Sequence, residues 1–493
     1  MTHNASVQAR RTLRDAFDRF AATVTPEDQR QFANTTLEDV RDEALKIERQ
    51  LRARRTPQNM ARLQPFLRGM EHYSKVIEVL CNGTPYLSWI WAPVKLMLTI
   101  TTDSLGAFEK LIDAYGKIAD MLPRFDRLAA ALSHDHNFQA VLALVYVDVL
   151  EFHRRAYKFV RRKSWAIFFG SMWAGFESRF GDILKSLEYH KELADKEAVA
   201  TDISAAIACS KEDSNRWEQQ EREWKALKVR SVLSWLATDE IPPEDMLEKH
   251  TQDCLPHSCE WFVQHPMTQS WLKDSADTDI LWLYGKPGSG KSVLCSNLVQ
   301  HAQKKGANIF FYFCNYLGNG TESSSCLLRS IAAQIVQKDN DLAMHVYGKY
   351  SQMHPIPSRK VLLNLLPELL QGLGSVHLVI DGLDEWDEHE QKETLHSLTP
   401  LLRTDASSYF CKILVASRET LVISRTMRKK SKPAASISLS SSDESAAIHL
   451  SIGNFVDRKL SDLPDHVEEL ESSPLLLADI KRNLLEKSNG MVS

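Results

Sequence analysis

One short stretch of glycine, lysine and serine limits what this chain can fold into more than any other feature. Residues 285–292 read Gly-Lys-Pro-Gly-Ser-Gly-Lys-Ser and fit the pattern G-x-x-x-x-G-K-[ST] at every fixed position. An apolar run at residues 280–284 precedes the stretch, and apolar side chains recur at helical spacing after it. The sequence therefore predicts a buried strand, a glycine-rich loop and a helix in that order, which is the setting that this pattern requires.

The composition of the loop predicts a site for an anion. Gly285, Gly288 and Gly290 permit backbone conformations in which successive N–H groups point inward, and the helix that opens near Lys291 adds its positive end. We expect Lys291 to reach the β and γ phosphates of a nucleoside triphosphate and the Ser292 hydroxyl to ligate Mg²⁺. The expected nucleotide-binding residues are Gly285, Lys286, Pro287, Gly288, Ser289, Gly290, Lys291 and Ser292.

Acidic residues follow a second apolar run, at residues 376–380. A buried parallel strand with acids at its carboxyl end fits this pattern. Asp381 is therefore a predicted Mg²⁺ ligand, directly or through water, and Asp384 or Glu385 is predicted to orient or polarise the attacking water. A solvated acidic turn is the alternative interpretation of Asp384 and Glu385, because more acids follow them.

A third apolar run, at residues 411–416, ends in Ser417 and Arg418. Arg418 is a candidate sensor of the γ-phosphate, grouped with Asp384 and Glu385 as a catalytic residue, because a guanidinium stays charged and forks around phosphate oxygens. An ordinary surface ion pair is the alternative role for this arginine.

In this order and spacing, the three segments resemble the NACHT-type NTPases of the STAND class, nucleotide-switched signalling ATPases that include NOD-like receptors. The form of the motifs is most similar to the fungal members, and Cys259-Glu260-Trp261 resembles their lead-in. The resemblance implies ATP/ADP and Mg²⁺ as cofactors, slow hydrolysis, and a role in self/non-self recognition or regulated cell death. The chain has no Asn-Lys-x-Asp guanine signature, which agrees with ATP, although GTP stays open as an alternative.

Residues 1–236 contain few glycines and long helical periods, which predict an all-α amino-terminal domain that ends in a long charged helix. This block resembles the helical domain before the NACHT module of many fungal STAND proteins, which implies protein partners or self-association through it. A basic cluster after the apolar stripe indicates a surface for anionic lipid or a partner, or else a solvated helix face. Helices are predicted at 37–51, 66–80 and 138–159, with one or two more at 93–118. The cluster consists of Arg154, Arg155, Arg161, Arg162 and Lys163.

The remainder of the chain is predicted to be mostly an α/β domain. Residues 237–278 form a linker and lead-in, and residues 279–460 form the NTPase, a parallel sheet with helices on both faces. Within it, residues 424–445 are expected to be a loop with one short strand at 437–439. Residues 461–493 begin a helical region, and the repeats that follow in the fungal relatives are expected to be missing from this chain.

Composition limits the class of protein. At 493 residues, with 43% hydrophobic and 25% charged residues, the chain is long enough for several globular domains. A net charge of −4 argues against bulk affinity for nucleic acid but leaves a local basic patch open, and no specific nucleic-acid partner is expected. The eight scattered cysteines are typical of reduced thiols in a cytoplasmic protein. No transmembrane segment is expected, because the most apolar run, residues 86–100, is short and interrupted by Pro93 and Lys95.

Two alternatives to a signalling switch remain open at the level of sequence. The first is a P-loop ATPase that couples rapid turnover to mechanical work, and the second is a non-catalytic interaction protein that nucleotide merely stabilises. Cys254 and Cys259, with His250 and His257 nearby, also permit a zinc site, but their spacing matches no common zinc finger, so a plain loop is the favoured interpretation.

Overall fold

A computed structural model gives the fold, and the chain divides into two compact units, Met1–Leu227 and Lys228–Ser493. The described residues are 6–52, 64–65, 67–68, 88–101, 105–120, 135–161, 180–190, 192–193, 200–238, 241–252, 254, 258–273, 278–314, 323–353, 355–402, 410–428, 434–440, 453, 456 and 482–483.

The regular secondary structure among the described residues of the first unit is helical, as the sequence predicts. Its helices are α1 (Val7–Ala21), α2 (Pro26–Phe32), α3 (Leu37–Arg52), α4 (Ser88–Thr101), α5 (Leu105–Ala119), α6 (His136–Val160) and α7 (Ala200–Leu236), and residues 180–190 are also helical. The predicted helices at 37–51 and 138–159 are thus confirmed, and of the one or two helices predicted at 93–118 there are two. The helix predicted at 66–80 lies almost entirely outside the described residues. The boundary between the units falls within α7, the long charged helix.

Local capping and burial explain why these helices form where they do. The Ser6 hydroxyl accepts a hydrogen bond from the Ala9 N–H at the start of α1, and Pro26 occupies the first turn of α2 after the Thr25 cap. Helix α1 packs along α6, and nearly every residue of α6 is buried. One aromatic-rich core of this unit contains Ala16, Phe20, Val24, Phe32, Trp89, Ala92, Val147, Leu150 and Tyr157.

Arg154 and Arg155 of the basic cluster at the end of α6 differ from both sequence interpretations. Arg154 and Arg155 are 4% and 8% exposed, and both donate to the Glu151 carboxylate at 2.8 Å. Arg154 also bonds to Glu218 of α7 at 2.5 Å. These two arginines are therefore internal ion-pair partners, neither a lipid or partner surface nor a solvated face. Arg161 pairs with the buried Asp28, and Arg162 and Lys163 lie outside the described residues.

Helix α4 contains most of the apolar run that the sequence singles out at 86–100. Pro93 lies inside the helix, and Trp89, Ile90 and Trp91 are buried, so the run is part of the protein core. Among the helices that the structure describes, none combines the length and the apolar character needed to cross a membrane.

The second unit alternates strands and helices. In chain order its elements are α8 (Pro243–Gln252), α9 (Glu260–Gln264), α10 (Pro266–Leu272), β1 (Ile280–Tyr284), α11 (Lys291–Lys304), β2 (Ile309–Phe313), α12 (Ser323–Lys338), α13 (Asn340–Val346), α14 (Arg359–Leu373), β3 (Ser375–Asp381), α15 (Glu388–Leu398), β4 (Phe410–Ser417), α16 (Leu421–Arg428) and β5 (Ala435–Ser438). Helix α13 continues into a π-helical turn, Tyr347–Ser351, and a short 3₁₀ turn, Leu383–Glu385, follows β3.

The strands form one parallel five-stranded sheet in the order β2-β3-β4-β1-β5. Strand β4 lies between β1 and β3, with Tyr284 opposite Ser417 and Asp381 opposite Ala416. Because parallel strands point the same way, their carboxyl ends meet at one edge. The glycine-rich loop, Asp381 and Ser417 are thus brought to the same edge by topology alone.

Helices cover both faces of this sheet, which confirms the predicted α/β architecture. Leu281 and Leu283 pack with Leu298 of α11 on one face, while Ile280 and Ile413 meet Leu395 of α15 on the other. Burial on both faces explains why the strands are continuous apolar runs.

The segment that follows Arg418 corrects one expectation. The predicted loop at 424–445 begins inside helix α16, because Val422, Ile423 and Met427 give that helix a buried face. The short strand predicted at 437–439 is present as β5.

Candidate nucleotide site

The glycine-rich loop connects the end of β1 to the start of α11, as its sequence predicts. Gly288 and Gly290 have φ angles of 71° and 83°, in the left-handed region that glycine adopts without strain. Gly285 is needed for a different reason, since a Cβ there would lie 2.8 Å from both the Leu439 Cβ and the Ser289 Oγ. The loop is therefore wound tightly in front of the first turn of α11, where the N–H groups of a helix attract an anion.

The Lys291 side chain is folded back onto this loop. Its Nζ donates to the carbonyl oxygen of Gly285 at 3.0 Å and to that of Lys286 at 2.9 Å. Partial burial lowers the pKa of Lys291, while the nearby Asp384 and Asp381 carboxylates oppose that shift. The ammonium group is thus held over the loop by weak neutral acceptors, which phosphate oxygens can replace.

Ser292 and Asp381 form the second part of the site. Asp381 is 4% exposed at the end of β3, and the Ser292 hydroxyl donates a hydrogen bond to its carboxylate. Burial raises the pKa of Asp381 to about 6, because the Ser292 hydrogen bond and the Lys291 charge only partly compensate for lost hydration. Asp384 and Glu385 add to the rise. Asp381 is therefore a buried acid whose negative charge is incompletely compensated.

This arrangement fits a magnesium ion. A hydroxyl and a carboxylate are the oxygen ligands that hard divalent cations prefer, and Mg²⁺ binds through one or two protein oxygens plus phosphate and water. A cation beside Asp381 would supply the charge compensation that its raised pKa shows to be incomplete. Ser292 and Asp381 are thus the residues that would hold the ion, next to the loop that would hold the phosphates.

The two acids after Asp381 differ in their surroundings. The Asp384 side chain is 6% exposed, and its Oδ1 accepts the backbone N–H of Arg418 at 2.8 Å while its Oδ2 pairs with the Arg418 guanidinium. Glu385 is exposed. Gly382 precedes both with a φ angle of 74°, and a Cβ there would lie 2.9 Å from the carbonyl oxygen of Cys314. The turn that presents these acids therefore requires glycine.

The structure adds residues that the sequence did not assign to the site. Ser417 is completely buried, and its Oγ accepts a hydrogen bond at 3.0 Å from Nε1 of Trp282. Leu439, just after β5, donates its N–H to the Tyr284 carbonyl at 2.8 Å and packs against Gly285. A hydroxyl at the end of an apolar run is a signal for Ser417, but Leu439 carries no local signal.

Comparison with known proteins identifies the module that carries this geometry. Residues 257–418 match the family described as Nephrocystin 3, N-terminal, and residues 61–205 match a domain of unknown function, DUF7708. The chain is 26% identical over 231 residues to the vegetative incompatibility protein HET-E-1 of Podospora anserina. These matches support the resemblance to the fungal NACHT-type NTPases.

The part of this chain that matches the first family contains every residue of the site described above except Leu439. It runs from the lead-in helices through Lys291 and Asp381 to Arg418. The alignment with the Podospora protein covers 45% of this chain and 17% of that relative's length. Vegetative incompatibility is thus a property stated of the Podospora protein, most of whose length this chain does not cover.

Proposed function

We propose that this chain binds ATP with Mg²⁺ and acts as a signalling switch that hydrolyses the nucleotide slowly. One observation carries the proposal: the Lys291 ammonium lies on the glycine-rich loop beside the Ser292–Asp381 hydrogen bond, at the carboxyl edge of a parallel sheet. A triphosphate needs a cradle of N–H groups, a mobile cation and an oxygen ligand set for its metal ion. The relationship to NACHT-type NTPases supports this use of the three features.

The protein's own groups have separate roles in the proposed reaction. Lys291 exchanges the carbonyl oxygens of Gly285 and Lys286 for β and γ phosphate oxygens, and thereby neutralises charge that develops on the transferred group. Ser292 and Asp381 would hold Mg²⁺ beside the loop, and the ion would supply further neutralisation of phosphate charge when bound.

The two acids at 384 and 385 divide the remaining work in this proposal. Both oxygens of Asp384 are engaged by Arg418, so this acid positions the arginine at the end of β4. Glu385 is exposed and carries the task of orienting the attacking water. Slow turnover follows because a single exposed acid on a short turn holds water less firmly than an organised pair of groups.

A switch also requires a difference between states. ATP shifts an equilibrium only as far as its affinity differs between the two conformations, so we propose that triphosphate favours a self-associating form and diphosphate a resting form. The helical amino-terminal unit is the proposed surface for self-association or for protein partners. The role in self/non-self recognition or regulated cell death rests on the likeness to the Podospora protein and stays a proposal, as does the cytoplasmic location.

The test is phosphate release from ATP with Mg²⁺, followed with the wild-type chain, Glu385→Gln and Asp384→Asn. We expect wild-type turnover on the order of 10⁻³ s⁻¹ or slower, as in switch NTPases without an activator. Glu385→Gln should retain ATP but lose about 100-fold in rate, which is the usual contribution of a general base. Glu388→Gln, an exposed acid at the start of α15, is the matched control and should behave like wild type.

Each alternative gives a different result in the same assay. Fast turnover that rises with protein concentration would identify a mechanical ATPase. Retention of ATP without any phosphate release would identify a nucleotide-stabilised interaction protein. A preference for GTP would overturn the nucleotide assignment, and loss of hydrolysis in Asp384→Asn alone would exchange the proposed roles of the two acids.

A further inference from the structure

Two cysteines in the lead-in to the NTPase lie unusually close together. The Sγ atoms of Cys254 and Cys259 are 3.3 Å apart, closer than the van der Waals contact of two sulfur atoms. Both lie between α8 and α9, and Cys259 immediately precedes α9, within the second unit. The nucleotide site uses neither of them.

The surroundings of the two thiols are different. Cys259 is 4% exposed and belongs to the hydrophobic core, together with Phe262 and Leu298. Cys254 is only partly buried, and its sulfur also lies 3.8 Å from the side-chain nitrogen of Asn297 and 3.9 Å from the Ser258 hydroxyl. The Cys254 thiol is therefore partly accessible to solvent, whereas the Cys259 thiol is buried in the core.

A metal site is a poor explanation for this pair. Structural zinc sites use four ligands, and in the part of the chain that the structure describes no group of three or more His, Cys, Asp or Glu side chains comes together. The His250 ring lies 5.1 Å from the ring of Phe313, against the sheet, and His257 lies outside the described residues. The zinc interpretation of the sequence thus gains no support, and a pair of sulfur atoms remains to be explained.

The hydrogen bond within the pair makes the two sulfurs chemically unequal. The contact with the Cys259 thiol lowers the pKa of Cys254, and the Ser258 hydroxyl and the Asn297 amide lower it further. The same bond, together with burial, raises the pKa of Cys259. A partly exposed thiolate beside a protonated thiol is the arrangement found in reactive and resolving cysteine pairs.

We propose that Cys254 and Cys259 form a reversible dithiol–disulfide site whose oxidant is a hydroperoxide. The Cys254 thiolate attacks the peroxide, so that the O–O bond breaks, a sulfenic acid forms on Cys254, and an alcohol or water leaves with one proton. The Cys259 sulfur then attacks the Cys254 sulfur, the S–S bond forms, the S–O bond breaks, and water leaves with the Cys259 proton. Two thiols lose two electrons in total, and one peroxide gains them.

The location of the pair connects this chemistry to the helix that begins with Lys291. Asn297 of α11 contacts the Cys254 sulfur, and Gln300 of α11 donates to the Thr251 hydroxyl of α8 at 3.1 Å. A disulfide would shorten the sulfur separation to about 2.05 Å and fix the segment that contacts α11. Oxidation thus acts on the contact between the lead-in and the P-loop helix.

The experiment treats the purified full chain with hydrogen peroxide and maps its peptides by mass spectrometry before and after dithiothreitol. We expect a 254–259 disulfide in wild type, with one peroxide consumed for two thiols, and complete reversal by the reductant. Cys259→Ala should stop at a sulfenic acid on Cys254 that dimedone captures, and Cys254→Ser should leave Cys259 reduced. Cys209→Ser, which removes an exposed cysteine of the other unit, is the matched control and should oxidise like wild type.

A second probe avoids any loss of folding in the variants. Phenylarsine oxide bridges two adjacent thiols, so the unmodified chain should bind it at the 254–259 pair and resist dithiol oxidation afterwards. The proposal is overturned if the 254–259 peptide stays reduced while other cysteines oxidise, or if the arsenical does not protect it. Neither readout depends on nucleotide, so this result stands apart from the outcome for the proposed NTPase.

Discussion

Arg418 and Asp384 contact each other at two points on the carboxyl edge of the sheet. The backbone N–H of Arg418 donates to Asp384 Oδ1 at 2.8 Å, and the Arg418 Nε donates to Asp384 Oδ2. The Arg418 side chain is 50% exposed, whereas that of Asp384 is 6% exposed. The arginine is therefore anchored by its backbone, while its guanidinium remains able to exchange a carboxylate for another anion.

This relationship predicts that Arg418 distinguishes ATP from ADP. A charge-assisted hydrogen bond to the γ-phosphate is worth about 1.5–3 kcal/mol, so Arg418→Ala should weaken ATP binding by roughly 10-fold or more. ADP has no γ-phosphate, and its affinity should change by less than about twofold. Calorimetric titration of both nucleotides measures the two constants directly.

Arg428→Ala is the matched control, since Arg428 is an exposed arginine in a surface pair with Glu419. It should leave both affinities unchanged. An equal loss for ATP and ADP in Arg418→Ala would mean that Arg418 only anchors Asp384.

Gly382 provides a test of the turn that carries the acids. Gly382 and Gly306 both have positive φ angles, 74° and 77°. An added Cβ at Gly382 would lie 2.9 Å from the Cys314 carbonyl oxygen, whereas one at Gly306 would meet no atom within 4 Å. Gly306→Ala should lower the free energy of unfolding by about 1 kcal/mol through backbone strain alone. Gly382→Ala should lower it by on the order of 3 kcal/mol, because the clash adds to the strain. Urea denaturation of the two variants measures the difference. Equal losses in the free energy of unfolding would show that the turn relieves the Cβ contact without destabilising the fold.

His153 predicts how the helical unit responds to acid. Its ring is completely buried in α6, neither nitrogen has a hydrogen-bond partner among the described residues, and burial lowers the pKa of His153 to about 3. His153 takes up a proton near pH 6.5 in the unfolded chain but only near pH 3 in the folded chain. Its contribution to the free energy of unfolding is therefore fully present above pH 6.5 and is lost as the pH falls toward 3. The loss from this histidine alone is on the order of 5 kcal/mol.

Unfolding by urea at a series of pH values checks this expectation. His153→Leu should flatten the dependence of stability on pH between 6.5 and 3. His136→Gln, at the exposed start of the same helix, is the matched control and should keep the wild-type slope. An unchanged slope in His153→Leu would show that the acid sensitivity arises elsewhere.

Local sequence patterns predicted most of the NTPase elements. The glycine-rich loop and the apolar runs that became β1, β3 and β4 are local signals, because burial on both faces demands continuous apolar strands. Helix α16 was missed, since the serine-rich and lysine-rich composition after Ser424 indicated a loop, although Val422, Ile423 and Met427 lie on one face of the helix.

Features that depend on distant residues were beyond the reach of sequence patterns. The order of the strands depends on pairing among similar apolar runs, and no local feature of β4 places it between β1 and β3. Arg154 looked like a surface residue because its partner Glu218 is 64 positions away. Arg418 and Asp384 are 34 positions apart, so the sequence suggested a role for each without predicting that they would pair.

The binding of ATP with Mg²⁺ to the wild-type chain and to Lys291→Ala tests the central claim most directly. Lys291 contacts the loop carbonyls that the phosphates would replace. Its removal should weaken ATP binding by about 100-fold, because a hydrogen bond between charged groups contributes about 1.5–3 kcal/mol. Lys304→Ala, at the exposed far end of the same helix, should bind like wild type. Equal affinity in the wild-type chain and in Lys291→Ala would contradict the assignment of this loop as a nucleotide site.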